Sequence, residues 1–290
     1  IAGDELLLKE INSLISDAGF PVLMKLIGLS KRTKESLSAS PAVLLPLRNW
    51  MNFGVSISDI LEQATDFLCS IPHCNIQVAF DDTPLDELLS VEGEFYKQIA
   101  NCRDGLILVG PSIEEIERSA HGDLIQKDEY IDRVLQRLCD LNFKRLRATY
   151  QTKYLHHTKR HNLTNCLVTP VDQFNDEHSL SHELYRIREL SCNPGLIDCW
   201  SPGVLNSSSQ TWLEKSATDF HLLRILAIGS LVLEKVPLIR ASSVHFSLDT
   251  IHLAAHLGAN DLGFGAFDQL TQETLRLQPL GDLKRISRIN

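Results

Sequence analysis

Residues 236–244 read VPLIRASSV and residues 258–263 read GANDLG, and the segment between them has helical periodicity. The first stretch leads into an apolar, β-branched run over residues 238–246, and the second opens another such run over residues 261–267. Residues 248–257 repeat apolar side chains at helical spacing. A strand, a helix and a second strand in this order are typical of a parallel α/β sheet.

The same alternation extends along the chain. The predicted strands are residues 42–47, 75–80, 105–110, 145–150, 164–171, 196–201, 238–246 and 261–267. The predicted helices are residues 57–69, 85–100, 113–119, 127–141, 180–190, 217–233 and 248–257. Eight strands is the number that a closed (β/α) barrel needs, and such barrels form one domain at a length of 290 residues. We therefore predict an α/β fold, a parallel (β/α) barrel over residues 42–290, with a helical N-terminal cap over residues 1–41.

Composition and charge narrow the function classes. The net charge of −9 argues against a general nucleic-acid surface, which needs clustered Lys and Arg. The apolar runs are shorter than the roughly 20 residues that span a bilayer, and no secretory signal is visible. Seven scattered cysteines are typical of reduced thiols. These features predict a cytoplasmic protein that binds neither nucleic acid nor membrane.

In parallel barrels the functional groups lie at the carboxyl ends of the strands. Residues at and near these ends give the candidate ligand-binding set. Its members are Arg48, Asn49, Asn52, Asp81, Arg240, Ser242, Asn260 and Asp261.

Several of these residues have a structural alternative. Asp81 can cap the next helix, as Ser112 does in a predicted capping box. Asn260 and Asp261 can form a turn between helix and strand. The turn role of Asn260 and Asp261 is compatible with ligand binding, because a sharp turn would fix the position of the last strand.

Arg240 and Ser242 alternate on the seventh predicted strand and therefore share a face. If that face lies in the barrel interior, Arg240 is a strong partner for a ligand carboxylate. The alternative is a buried Arg240 that pairs internally with Asp198 or Glu234.

Three histidine pairs have i,i+4 spacing, which places both imidazoles on one helix face, as zinc sites require. The pairs are His157/His161, His178/His182 and His252/His256. None has the third ligand and the activating carboxylate of the H-E-x-x-H arrangement. We therefore interpret them as surface or satisfied histidines and predict no metal site.

The two stretches quoted first resemble the C-terminal third of radical-SAM enzymes of the aminofutalosine synthase and dehypoxanthine futalosine cyclase group, which act in the futalosine route to menaquinone. That family commonly reads VP-x-I-x-A-x-W-V, then a helix, then GANDLGGT. This chain matches in the same order and at similar spacing, and departs at Ser243, where the family carries Trp, and at Phe264 and Gly265, where Gly-Thr is usual. The resemblance, clear from residue 160 onward, implies a barrel of the radical-SAM/TIM-barrel type with a nucleoside and substrate pocket.

Radical-SAM enzymes hold a [4Fe–4S] cluster with three thiolates in the motif C-x3-C-x2-C, and the cluster chelates S-adenosylmethionine. The cysteines of this chain are Cys69, Cys74, Cys102, Cys139, Cys166, Cys192 and Cys199, and no three have that spacing. The family's loop follows the first strand, where residues 47–54 read LRNWMNFG and Asn52 marks its remnant. The missing motif predicts a chain without a [4Fe–4S] cluster, and the resemblance retains S-adenosylmethionine as a candidate ligand.

Three functional hypotheses follow. The first is a degenerate, cluster-less relative of the futalosine-pathway enzymes that binds a nucleoside, S-adenosylmethionine or an aromatic carboxylate, or that partners an active paralogue. The second is an active menaquinone-pathway enzyme whose cluster ligands are dispersed cysteines or lie outside these residues. The third is a non-catalytic interaction protein. The sequence does not indicate the oligomeric state.

Overall fold

The computed structural model describes residues 2–29, 42–45, 56, 58–59, 62, 74–78, 85–101, 106–148, 153–171, 174, 176–203, 219–242, 246 and 248–264. The chain divides into two compact units. One comprises residues 40–148, 152–164 and 264–290, and we call it the β1–β4 unit. The other comprises residues 1–39, 149–151 and 165–263, and we call it the β5–β8 unit.

Four parallel strands form the sheet of the β1–β4 unit. They are β1 (Ala42–Leu45), β2 (Cys74–Val78), β3 (Leu106–Ser112) and β4 (Phe143–Ala148). The helices of this unit within the described residues are α3 (Leu85–Asn101), α4 (Ile113–Ser119), α5 (Leu124–Asp140) and α6 (Leu155–Arg160). Each strand pairs with its successor in the chain, and the β3–β4 pairing contains register shifts.

Helix α5 shows why these segments fold as they do. Its buried residues are Ile131, Val134, Leu135 and Leu138, at the spacing of one helix face. It begins with a capping box in which Asp123 and Gln126 satisfy each other's backbone N–H groups. The predicted capping box of α4 is also present, because Ser112 accepts from the N–H of Glu115 and the Glu115 carboxylate accepts from the N–H of Ser112.

The β5–β8 unit holds the other four parallel strands and the N-terminal helices. Its strands are β5 (Thr164–Pro170), β6 (Ile197–Gly203), β7 (Leu238–Ser242) and β8 (Asp261–Phe264). Its helices are α1 (Ala2–Asp17), α2 (Phe20–Leu29), α7 (Glu177–Ser191), α8 (Asp219–Val232) and α9 (Leu248–His256). Each strand again pairs with its successor.

The two N-terminal helices pack on α7 and α8. Ile11 and Ile15 of α1 are buried. Arg224 of α8 donates to the carbonyl oxygens of Ile15 and Ala18 at the C-terminal end of α1. Carbonyl groups at a helix C-terminus have no partner within the helix, so Arg224 satisfies them. The predicted N-terminal cap is therefore helical and belongs to the β5–β8 unit, while the predicted domain boundary at residue 41 stays a prediction. No helix among the described residues is both long and apolar enough to cross a membrane.

Candidate functional site

The sheet of the β5–β8 unit has one face toward α8 and one face away from it. Trp200 of β6 marks the first face, since a Cβ added to Gly229 of α8 would lie 2.2 Å from the Trp200 ring. Trp200 is in register with Ile239, so Ile239 shares that face. Arg240, the next residue of β7, therefore points to the face away from α8, and Ser242 shares that orientation.

A buried ion pair occupies the face away from α8. Arg240 is in register with Asp261 on β8. Its Nε and Nη2 atoms donate to Asp261 Oδ2 over 3.0 Å and 2.8 Å. The side chains of Arg240 and Asp261 are 5% and 0% exposed. Arg240 is thus buried and internally paired, but the prediction of Asp198 or Glu234 as its partner is wrong, because strand register brings Asp261 opposite Arg240.

Two cysteines complete this buried cluster. Cys166 of β5 and Cys199 of β6 are in register and both are buried. Arg240 Nη1 donates to Cys166 Sγ over 3.5 Å, and Cys199 Sγ lies 4.0 Å from Asp261 Oδ2. The sequence analysis did not place either cysteine here, because the contact depends on the register between strands, which the sequence does not show.

The electrostatics of the cluster shift the pKa values of Arg240 and of the Cys199 thiol. Burial alone lowers the pKa of Arg240, but the charge of Asp261 outweighs it and holds the pKa well above its usual value. Burial is also the main cause that raises the pKa of the Cys199 thiol, and its hydrogen bond with Cys166 raises it further. A thiol with a raised pKa stays protonated and is a poor nucleophile or metal ligand.

Asn260 fixes the start of β7. Its Oδ1 accepts from the Ile239 N–H over 2.7 Å, and its Nδ2 donates to the Pro237 carbonyl over 2.9 Å. The adjacent Gly258 has φ +93°, and a Cβ there would lie 2.4 Å from Ser230 Oγ. The GANDLG stretch thus forms the turn that aligns β8 with β7, which is the structural alternative for Asn260.

The ion pair does not lie at the carboxyl ends of the strands. Arg240 is the third of five residues in β7 and Asp261 is the first residue of β8. Ser242, at the end of β7, is therefore about 6.6 Å further along the strand. The neighbouring strand β6 ends in Ser201, Pro202 and Gly203, so the ends of β6 and β7 carry small side chains beyond a charged, buried layer.

The remaining predicted ligand-binding roles stay predictions. Arg48, Asn49, Asn52 and Asp81 lie outside the described residues, so their roles stay predictions. The same holds for ligand binding by Ser242, which is half-buried.

The histidine pairs differ from one another in the structure. Asp132 of α5 lies 3.2 Å from both His157 Nδ1 and His161 Nε2, so it supplies the carboxylate neighbour that the sequence pattern lacked. His178 and His182 instead contact each other, with 3.0 Å between their Nε2 atoms. No group of three or more His, Cys, Asp or Glu side chains in the described part of the chain is arranged to hold a metal ion.

Solved structures with a similar fold cover most of the chain. Methylornithine synthase (PylB) matches with a TM-score of 0.63 and 13% identity over 96% of this chain and 92% of that chain. HydG, a maturase of the [FeFe]-hydrogenase, matches with a TM-score of 0.59 and 10% identity over 91% of this chain and 68% of that chain. The tryptophan synthase A-subunit from Pyrococcus furiosus matches with a TM-score of 0.50 and 10% identity over 87% and 95%. No family model and no curated protein matches the chain.

These likenesses show the class of fold. The first two neighbours are radical-SAM enzymes, so the chain has a radical-SAM-like α/β fold of the TIM-barrel type. The predicted fold class is confirmed. At identities of 13% and 10%, these two matches show the fold alone. Membership of the futalosine-pathway family stays a prediction.

Proposed function

We propose that this chain is a degenerate relative of the futalosine-pathway radical-SAM enzymes that binds a small ligand without a thiolate-held [4Fe–4S] cluster. The observation that carries the proposal is the cysteine spacing. The fold is radical-SAM-like, yet no three of the seven cysteines form C-x3-C-x2-C. This spacing does not fit a thiolate loop for the cluster, so we propose no radical step for this chain.

The described cysteines also argue against a dispersed ligand set. Cys166 and Cys199 are buried beside an ion pair, and Cys199 has a raised pKa, whereas a cluster needs thiolates. Cys139 lies on α5 and Cys192 follows α7 on the surface. This distribution favours the cluster-less hypothesis over an active enzyme with atypical ligands.

We place the ligand at the carboxyl ends of the strands in the β5–β8 unit, as parallel α/β proteins do. Ser242 and the end of β6 offer small side chains and hydroxyl groups there. Arg240 has its Nε and Nη2 atoms bonded to Asp261 and its Nη1 atom directed to Cys166, so it is a poor anchor for a ligand carboxylate. The arrangement therefore favours a nucleoside or the nucleoside part of S-adenosylmethionine over an aromatic carboxylate.

We further propose that the protein is cytoplasmic. Its partners would be this small ligand and, as an alternative, an active paralogue. The proposal includes no nucleic-acid or membrane partner, since the net charge of −9 disfavours polyanions.

Iron and sulfide analysis after anaerobic reconstitution tests the cluster-less part of the proposal. We expect much less than one cluster per chain and no iron–sulfur absorbance band. The Cys166→Ser variant serves as a control, because its buried thiol is expected to contribute no ligand. About four irons and four sulfides per chain would overturn the proposal, and their loss in the Cys166→Ser variant would show that dispersed cysteines hold the cluster.

Calorimetric titration with adenosine, S-adenosylmethionine and benzoate tests the ligand. We expect the two nucleosides to bind and the Ser242→Phe variant to weaken that binding at least about tenfold, which is about 1.4 kcal/mol. The matched control is Ser179→Phe, the same substitution on the exposed face of α7. Failure of all three ligands to bind would favour the interaction-protein hypothesis and overturn ligand binding as proposed.

A further inference from the structure

His178 and His182 form a preorganised pair on the surface of α7. They lie one helical turn apart, both are exposed, and their ring centroids are 4.4 Å apart with an interplanar angle of 85°. Their Nε2 atoms are 3.0 Å apart. Within the described residues, that contact is the one hydrogen bond that either imidazole makes.

The distance between the two Nε2 atoms is that of a cis pair of metal ligands. Each neutral imidazole presents one lone pair for a proton or a metal ion. With metal–nitrogen bonds of about 2.0–2.1 Å, two ligands at 90° stand about 2.9 Å apart and two at the tetrahedral angle about 3.3 Å apart. The observed 3.0 Å is closer to the 90° value, which square-planar and tetragonal Cu²⁺ and Ni²⁺ sites use.

The surroundings of the pair suit a cation. Asp176 caps α7 and interacts electrostatically with His178, and Glu177 is exposed in the same turn. Because both imidazoles are exposed, water can complete the coordination shell without desolvating a buried group.

The second histidine pair provides an internal contrast. His157 and His161 each face Asp132 at 3.2 Å rather than facing one another. His157 and His161 thus each have a ring nitrogen engaged by a carboxylate, whereas the Nε2 atoms of His178 and His182 have only each other as hydrogen-bond partners among the described residues, and a metal ion that replaces the shared proton would bind both.

We propose that His178 and His182 chelate one divalent transition-metal ion, Cu²⁺ or Ni²⁺ ahead of Zn²⁺, with two protein nitrogens and solvent as ligands. This order follows both the angle preference and the general affinity series, in which Cu²⁺ exceeds Ni²⁺ and Zn²⁺. The site is independent of the ligand site at the strand ends and of any cluster.

Titration calorimetry with CuCl₂ and NiCl₂ on the full chain tests the site. We expect one ion per chain and at least about tenfold weaker binding by His182→Ala and His178→Ala, about 1.4 kcal/mol. The matched control is His161→Ala, which removes one member of the other i,i+4 pair and should leave affinity unchanged. Equal affinity of the wild type and His182→Ala, or an equal loss in His161→Ala, would overturn the proposal.

Electron paramagnetic resonance of the Cu²⁺-loaded protein gives an independent readout. We expect hyperfine structure from two nitrogens in the wild type and from one in His182→Ala. A spectrum of one nitrogen in the wild type would show adventitious binding and overturn the proposal.

Discussion

Two carboxylates, one in each unit, lie between nitrogen donors in very different surroundings. In the β5–β8 unit, Asp261 Oδ2 accepts two bonds from Arg240 and the Asp261 side chain is fully buried. In the β1–β4 unit, Asp132 Oδ1 lies 3.2 Å from nitrogens of both His157 and His161, and 43% of the Asp132 side chain is exposed. Both clusters centre on one carboxylate oxygen, so burial is what separates them.

Burial decides how much each cluster matters to the fold. A buried charge has lost its hydration, and removal of its partner leaves an uncompensated charge at a cost of about 3–5 kcal/mol. An exposed pair is screened by solvent and contributes about 0–1 kcal/mol. The comparison therefore indicates that removing one partner of the β7–β8 ion pair destabilises the fold far more than removing a contact between α5 and α6.

The Asp261→Asn substitution has the largest expected effect. We expect it to lower the free energy of unfolding by about 3–5 kcal/mol, because the charge of Arg240 loses its partner inside the sheet. Urea unfolding measures the loss, and Asp132→Asn is the matched control with an expected loss below about 1 kcal/mol. Equal losses in the two variants would contradict the comparison.

A double variant keeps this prediction testable if the single variant fails to fold. In Arg240→Met with Asp261→Leu, both charges are replaced by apolar side chains. Because such replacements of buried ion pairs are often neutral or stabilising, we expect the double variant to be more stable than Asp261→Asn. A double variant that is less stable would show that the charges themselves are needed here.

The strands were the most predictable part of the fold. All eight described strands overlap their predicted ranges, because apolar, β-branched runs fill a sheet that is covered by helices. The start of β4 was misplaced by two residues, since the charged run from Lys144 to Arg147 hides the strand pattern while Phe143 is buried. Helix α6 was missed because six residues are too few to show a helical period.

The candidate site was predicted only in its parts. Arg240 and Asp261 were both selected, yet the sequence could not show that they face each other, since a shift of one residue in strand register would separate them. The same reason hid the approach of Cys166 to Cys199. Contacts between neighbouring strands follow from register, whereas a turn such as the one at Gly258 follows from local residue type.

A buried and an exposed glycine, both with positive φ, differ in the same way, with a smaller expected loss of stability. Gly258 and Gly195 have φ values of +93° and +78°, but a Cβ meets Ser230 Oγ at 2.4 Å in the first and nothing within 4 Å in the second. We expect Gly195→Ala to cost about 1–2 kcal/mol from backbone strain alone. Gly258→Ala should cost about 2–4 kcal/mol, because Ser230 must also move. Chemical unfolding measures both, and equal costs would contradict the packing argument.

The smallest expected effect is the pH dependence of the exposed cluster. Burial raises the pKa of Asp132, but hydrogen bonds from His157 and His161 outweigh it, so the pKa is lowered from 3.8. A carboxyl group with a lowered folded pKa stabilises the fold above its unfolded pKa and loses that contribution as the pH falls through the folded pKa. We therefore expect Asp132→Asn to be less stable than the wild type by under about 1 kcal/mol at pH 6, with screening included. The difference should vanish in acid below the lowered pKa, and a difference that instead grows as the pH falls would show that this carboxylate is not stabilised by its histidines.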